Sequence, residues 1–105
     1  MGNTDATARL VEQLEHFRRH PTDYVRPHDV SHVESFLRGI DVALNAHGVA
    51  LDHAAIRHAH GFPDSPLTIA QLMQVHGVEP TVVVNRLIDF TIEALRSWAA
   101  EHPGE

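Results

Sequence analysis

Apolar residues recur three and four positions apart through most of this chain, the spacing that lines one face of a helix. Pro21, Pro27, Gly48, Gly61-Phe62-Pro63, Pro66, Gly77 and Pro80 interrupt the pattern and leave five segments. The first, from about Thr4 to Arg19, sets Leu10, Val11, Leu14 and Phe17 against Arg9, Glu12, Glu15 and Arg18, with Asn3 or Thr4 as the expected cap and Pro21 as the stop. The second, from about Ser31 to His47, carries the stripe Val33, Phe36, Leu37, Ile40, Ala43 and Leu44. Ser31-His32-Val33-Glu34 fits a capping box at its start, and Gly48 supplies a left-handed stop. The third runs from about Leu51 to His60, is rich in alanine, and ends at Gly61 and Pro63. The fourth, about Pro66 to His76, carries Ile69, Ala70, Leu72, Met73 and Val75; Ser65 is its expected cap, Pro66 its first helical residue and Gly77 its stop.

The fifth segment, Pro80 to about Glu101, opens with Thr81-Val82-Val83-Val84, which by propensity alone reads as strand. Yet Val83, Leu87, Phe90, Ala94 and Trp98 keep helical spacing, and so do Val84, Leu87, Ile88 and Leu95. Only a narrow polar stripe remains, with Asn85, Asp89, Glu93 and Arg96. A face this wide predicts a helix packed on more than one side, either the central helix or one buried in a dimer. No alternating strand pattern appears elsewhere. The expected fold is all-α, a compact orthogonal bundle of four or five helices forming a single domain over residues 1–105.

Composition narrows the chemistry. The apolar fraction of 43% suits one packed core. There is no cysteine, which removes disulfides, thiolate metal sites and thiol nucleophiles and fits a cytoplasmic setting. The start, Met1-Gly2-Asn3-Thr4-Asp5, has no apolar signal core, and no stretch has the length to cross a bilayer, so no membrane role is expected. Formal net charge is -6, and all eight basic residues are Arg, a bias consistent with a high-GC bacterial source. An acidic surface disfavours nonspecific nucleic-acid binding and suits a basic protein partner. Ten His make the charge sensitive to pH between about 5 and 7.

Three patterns are candidates for chemistry of their own. His47, His53, His58 and His60 fall in one short window, and His28 and His32 stand four apart, the spacing at which two helical residues share a face and can chelate a metal. The His28–His32 pair lacks the flanking glutamate of the metalloprotease motif and overlaps a cap, so surface histidines without metal are expected. Ser31, His32 and Asp29, or Ser65 with Asp64, supply triad residue types, but no nucleophile elbow or glycine-rich loop surrounds them, and capping accounts for both serines. No enzyme and no cofactor are expected. Arg18, Arg19 and Arg26 are the one basic concentration, read as a solvated helix end.

The run Leu67 to Leu87 resembles a helix-turn-helix. Ala70 and Leu72 pack the first helix in that resemblance, Gly77 and Val78 make the turn, and Val83 and Leu87 anchor the second helix. The resemblance implies a DNA-binding regulator with Thr81, Val82, Asn85 and Arg86 toward a groove. Met73 stands where such motifs usually have a small residue, Glu79 would face phosphates, and the run offers one Arg and no Lys, so DNA reading is the alternative and not the first expectation.

A loop Pro21-Thr22-Asp23-Tyr24 feeding a helix with Phe36-Leu37-Arg38-Gly39 is similar to a pattern in small helical bacterial immunity-type proteins encoded beside toxins, over residues 20–44. The alternative for the same residues is purely structural: Tyr24 and Val25 plug one end of the bundle and Gly39 permits close helix packing. The resemblance implies a protein-binding module, an immunity-like or antitoxin-like inhibitor, and transfers no individual partner-binding residue. Acidic residues such as Glu12, Glu15, Asp23, Asp41 and Asp52 are available to a basic partner, where complementary charge speeds encounter and sharpens specificity.

Overall fold

Phe17, Val33, Val83, Ile88 and Leu95 come from three of the five segments, and all lose contact with solvent in one shared core. The computed structural model describes residues 3–20 and 29–103, with side chains from residue 5 onward. The expected cap by Asn3 or Thr4, the Pro21–Tyr24 loop, the plug by Tyr24 and Val25, and the residues Asp23, Arg26 and His28 lie outside that description. Five helices and no strand occur among the described residues: α1 (Asn3–Arg19), α2 (Val30–Ala46), α3 (His53–Ala59), α4 (Ile69–Val75) and α5 (Pro80–Glu101). The architecture is an all-α bundle. No helix among the described residues is long and apolar enough to cross a membrane.

Helix α5 is the centre of the bundle. The other four helices all pack on it, α1 most extensively. Its nine buried residues, from Val83 and Val84 through Ile88, Phe90, Thr91, Ile92, Ala94 and Leu95 to Trp98, occupy far more of its circumference than a one-sided surface helix buries. Burying each large apolar side chain is worth about 1.5–3 kcal/mol, which outweighs the few tenths by which valine disfavours a helix. The valine run is therefore helical despite its β propensity, with Pro80 preset for the first turn.

Three helices end in the same way. Behind α2, α3 and α4, glycines 48, 61 and 77 adopt φ of +83, +76 and +77. At each, the glycine N–H bonds to the carbonyl three residues back, and the next N–H bonds to the carbonyl five residues back. This double bond pattern is the Schellman motif, and the residue after each glycine is apolar: Val49, Phe62 and Val78 turn inward, with Val49 2% exposed. The dipeptides Gly-Val, Gly-Phe and Gly-Val thus stop the helices and fold the following chain onto the core.

Two caps differ from expectation. Helix α2 is capped by Asp29, whose carboxylate accepts the His32 N–H at 2.8 Å, and Ser31 is an exposed residue of the first turn. A carboxylate meets the positive helix end better than a hydroxyl, and starting at Val30 adds that side chain to the core. Helix α4 begins at Ile69, not at Pro66. Thr68-Ile69-Ala70-Gln71 forms the capping box: Gln71 N–H donates to Thr68 Oγ1 at 3.1 Å and Thr68 N–H donates to Gln71 Oε1 at 2.8 Å. Ser65 instead accepts from Leu67 N–H in the preceding bend. Gly39 also departs from its expected role, because a Cβ built there meets nothing within 4 Å. Close helix packing inside the chain does not explain it.

Candidate functional site

The helix-turn-helix expectation places Thr81, Val82, Asn85 and Arg86 on an exposed strip at the start of α5, and all four side chains are exposed. The turn itself has the anticipated form, with Gly77 left-handed and Val78 folded inward between α4 and α5. The Arg86 guanidinium lies over the Phe90 ring, 5.2 Å from its centre. Beside Asn85, the end of α1 contributes Arg18 and Arg19, a proximity that sequence separation concealed. The same strip continues into Asp89 and Glu93, and Arg18 is paired with Asp89 at 3.1 Å. Val84 and Ile88 face inward and are buried, which narrows the accessible face of the helix.

The histidines are dispersed. His53 Nε2 lies 2.9 Å from Asp41 of α2, and His60 Nε2 lies 2.9 Å from Glu93 of α5. These two contacts tie the short helix α3 to its neighbours at opposite ends, so His53 and His60 do not converge. No group of three or more His, Cys, Asp or Glu suited to a metal ion occurs among the described residues. Of the triad residue types, Asp29 and His32 do meet, with His32 Nδ1 2.8 Å from Asp29 Oδ1, but that oxygen is the one that caps α2. Ser65 Oγ is engaged with Leu67 N–H in the bend before α4.

Several of the acidic residues available to a partner already have work inside the fold. Glu15 bonds to Arg96 at 2.9 Å, Asp41 faces His53, and Asp52 caps α3 by accepting Ala55 N–H at 3.0 Å. Glu12 is exposed. The charge of the chain is therefore partly internal, in exposed pairs that each contribute about 0–1 kcal/mol.

Sequence reading missed a cleft of about 280 Å³ where α2, α3, α4 and α5 meet. Its floor is apolar, made by Leu37, Ile56, Ile69, Ala70, Leu87 and Phe90, and Glu34, Arg38, Asp41, His53 and Arg57 surround it. The Asp41–His53 contact joins α2 to α3 along one side. On another side Arg57 donates from Nη1 to Leu67 O at 3.0 Å and from Nη2 to Pro63 O at 2.8 Å. These bonds hold the segment between α3 and α4 against α3. Arg57 Nε is buried with no hydrogen-bond partner among the described residues, so the guanidinium is committed to shaping the wall. Phe62 packs edge-on against Phe90 at 5.9 Å beneath this segment. Two features were visible in advance: Leu37 and Arg38 belong to the Phe-Leu-x-Gly stretch of α2, and Leu87 and Phe90 belong to the wide face of α5. Their convergence depends on how four helices pack, which no local spacing encodes. Comparison with known proteins found no matching family model, no similar curated protein and no similar solved structure.

Proposed function

We propose that this chain is a protein-binding module of the immunity or antitoxin kind, which acts by occupying a partner protein. The observation that carries the proposal is the cleft: an apolar floor ringed by charged side chains, with Leu37 and Arg38 of α2 in its lining. Protein interfaces concentrate their binding energy in such apolar centres and use the polar rim for orientation and specificity. Helix α5 contributes Leu87 and Phe90 to that floor and is itself packed by every other helix. Affinity capture with the tagged chain from a lysate of its source, with and without nuclease, tests the reading. One stoichiometric protein that survives nuclease treatment is the expected result; a chain that retains no protein in tight complex contradicts it.

A DNA-binding regulator is the second reading, favoured by one observation: the α4–α5 turn presents Thr81, Val82, Asn85 and Arg86 beside Arg18 and Arg19. Electrostatics weigh against it. Glu79, Asp89 and Glu93 border the same strip, Arg18 is neutralised by Asp89, and the formal net charge is -6. Under this reading Arg86→Ala lowers DNA affinity while the domain stays folded. Unchanged affinity, measured by fluorescence anisotropy at stated salt, removes it.

A further inference from the structure

We infer that His16 and His20, at the end of α1, form a chelating site for a divalent transition-metal ion of the copper(II) or nickel(II) class. The inference is independent of the protein-binding reading, because the pair lies on α1, outside the cleft.

The backbone sets the pair. Helix α1 ends at Arg19, but His20 N–H still donates to His16 O at 2.8 Å, so the helical turn runs on through His20. Residues four apart in a helix stand on one face. Leu14 and Phe17 bury the core side of this helix end, and both histidines are exposed. Their ring centres lie 4.6 Å apart, with the planes tilted by 33°. The turn has already brought two imidazoles together, which lowers the ordering cost of holding one ion between them.

That separation has a specific meaning for a metal. With metal–nitrogen bonds of about 2.05 Å and about 1.1 Å more to each ring centre, two imidazoles at a right angle on one ion have centres about 4.5 Å apart; at the tetrahedral angle the distance is about 5.2 Å. The observed 4.6 Å fits the right angle, the geometry of tetragonal copper(II) and nickel(II) sites, better than tetrahedral zinc. Rotation about χ2, a soft torsion in histidine, turns one nitrogen of each ring toward the shared ion. Imidazole suits these ions, whereas magnesium and calcium take oxygen donors. No group of three or more suitable donors occurs among the described residues, so water completes the coordination. The surroundings admit a cation. Arg18 is drawn to Asp89 of α5, Arg19 lines the recess beside Asn85, and Glu12, one turn before His16, is exposed.

The test titrates the whole, untagged protein with nickel(II) by calorimetry, with magnesium(II) in parallel. Histidine ring signals are followed in ¹⁵N–¹H correlation spectra, where the paramagnetic ion broadens nuclei close to it. The expected result is saturable binding of one nickel ion per chain, none of magnesium, and broadening of the His16 and His20 rings before those of the other histidines. Two linked ligands bind about 10²–10⁴ times more tightly than one, so His16→Ala and His20→Ala should each weaken nickel binding at least about tenfold. His58→Ala, at another exposed histidine, should leave it unchanged. No saturable nickel binding below about 1 mM, earlier broadening of other histidine rings, or undiminished affinity in either variant of the pair each overturns the inference. The broadening in the wild-type protein locates the ion without recourse to any variant.

Discussion

Replacing Gly39 by alanine should stabilise the protein by about 1 kcal/mol, the cost of glycine against alanine in a helix interior. Gly39 lies well inside α2, far from either end of Val30–Ala46, where fraying would dilute the effect. A Cβ placed there meets no atom within 4 Å, so no steric term offsets the gain, and its φ is not in the left-handed region. Gly39 is also exposed, so the added methyl neither fills nor strains the core. For a domain near this size, 1 kcal/mol raises the midpoint of thermal unfolding by roughly 4–8 °C. Urea titration followed by far-ultraviolet circular dichroism should show a higher midpoint at unchanged slope, because the same surface is exposed on unfolding. A midpoint that stays put or falls, or a changed slope, refutes the reasoning. The experiment bears on function as well. Gly39 lies on the exposed side of α2, and the fold offers no internal packing reason for it. A variant that is more stable yet captures less partner would place the outer face of α2 within the interface.

The remaining predictions concern the caps and the core. Asp29→Ala should cost about 1 kcal/mol by removing the N-cap of α2, whereas Ser31→Ala, on the exposed first turn, should stay within about 0.5 kcal/mol of wild type; equal effects in urea titrations would return the cap to Ser31. Gly77→Ala should act opposite to Gly39→Ala, lowering stability by more than about 1 kcal/mol, because φ of +77 strains any residue with a Cβ. Leu95→Ala, at a fully buried position of the central helix, should cost about 2–5 kcal/mol, against near neutrality for Val42→Ala, whose side chain is 65% exposed; comparable losses at both sites would contradict the assignment of α5 as the centre.

How much of this was legible in the sequence depended on the range of the interaction concerned. The stripes of α1, α2 and α5 are local periodicities, and they locate those helices and most of the core. The glycine stops are local too. Each of Gly48, Gly61 and Gly77 precedes an apolar residue, which is the full signature of the motif they form. The misplaced caps were choices among neighbouring candidates. Asp29 competed with Ser31, and Thr68 with its matching Gln71 competed with Ser65 before Pro66; what decided was which start buries Val30 and which hydroxyl has a reciprocal partner. The cleft was not legible, because Leu37, Ile56, Ile69 and Leu87 become neighbours only when four helices have packed on α5. The proximity of Arg18 and Arg19 to Asn85 was hidden for the same reason.

The central claim, that the cleft face engages a protein, is tested most directly by comparing capture with wild type and with Ile69→Asp. Ile69 lies in the cleft floor at the first residue of α4, where an aspartate suits the helix dipole, so the substitution charges the floor while favouring the helix. Circular dichroism establishes that the variant is folded, and both proteins are exposed to the same nuclease-treated lysate. The account predicts one stoichiometric protein with wild type, and loss of at least about tenfold in its recovery with the variant, equivalent to about 1.4 kcal/mol of binding energy. Undiminished recovery with a folded variant, or no protein retained in tight complex by wild type, would contradict it.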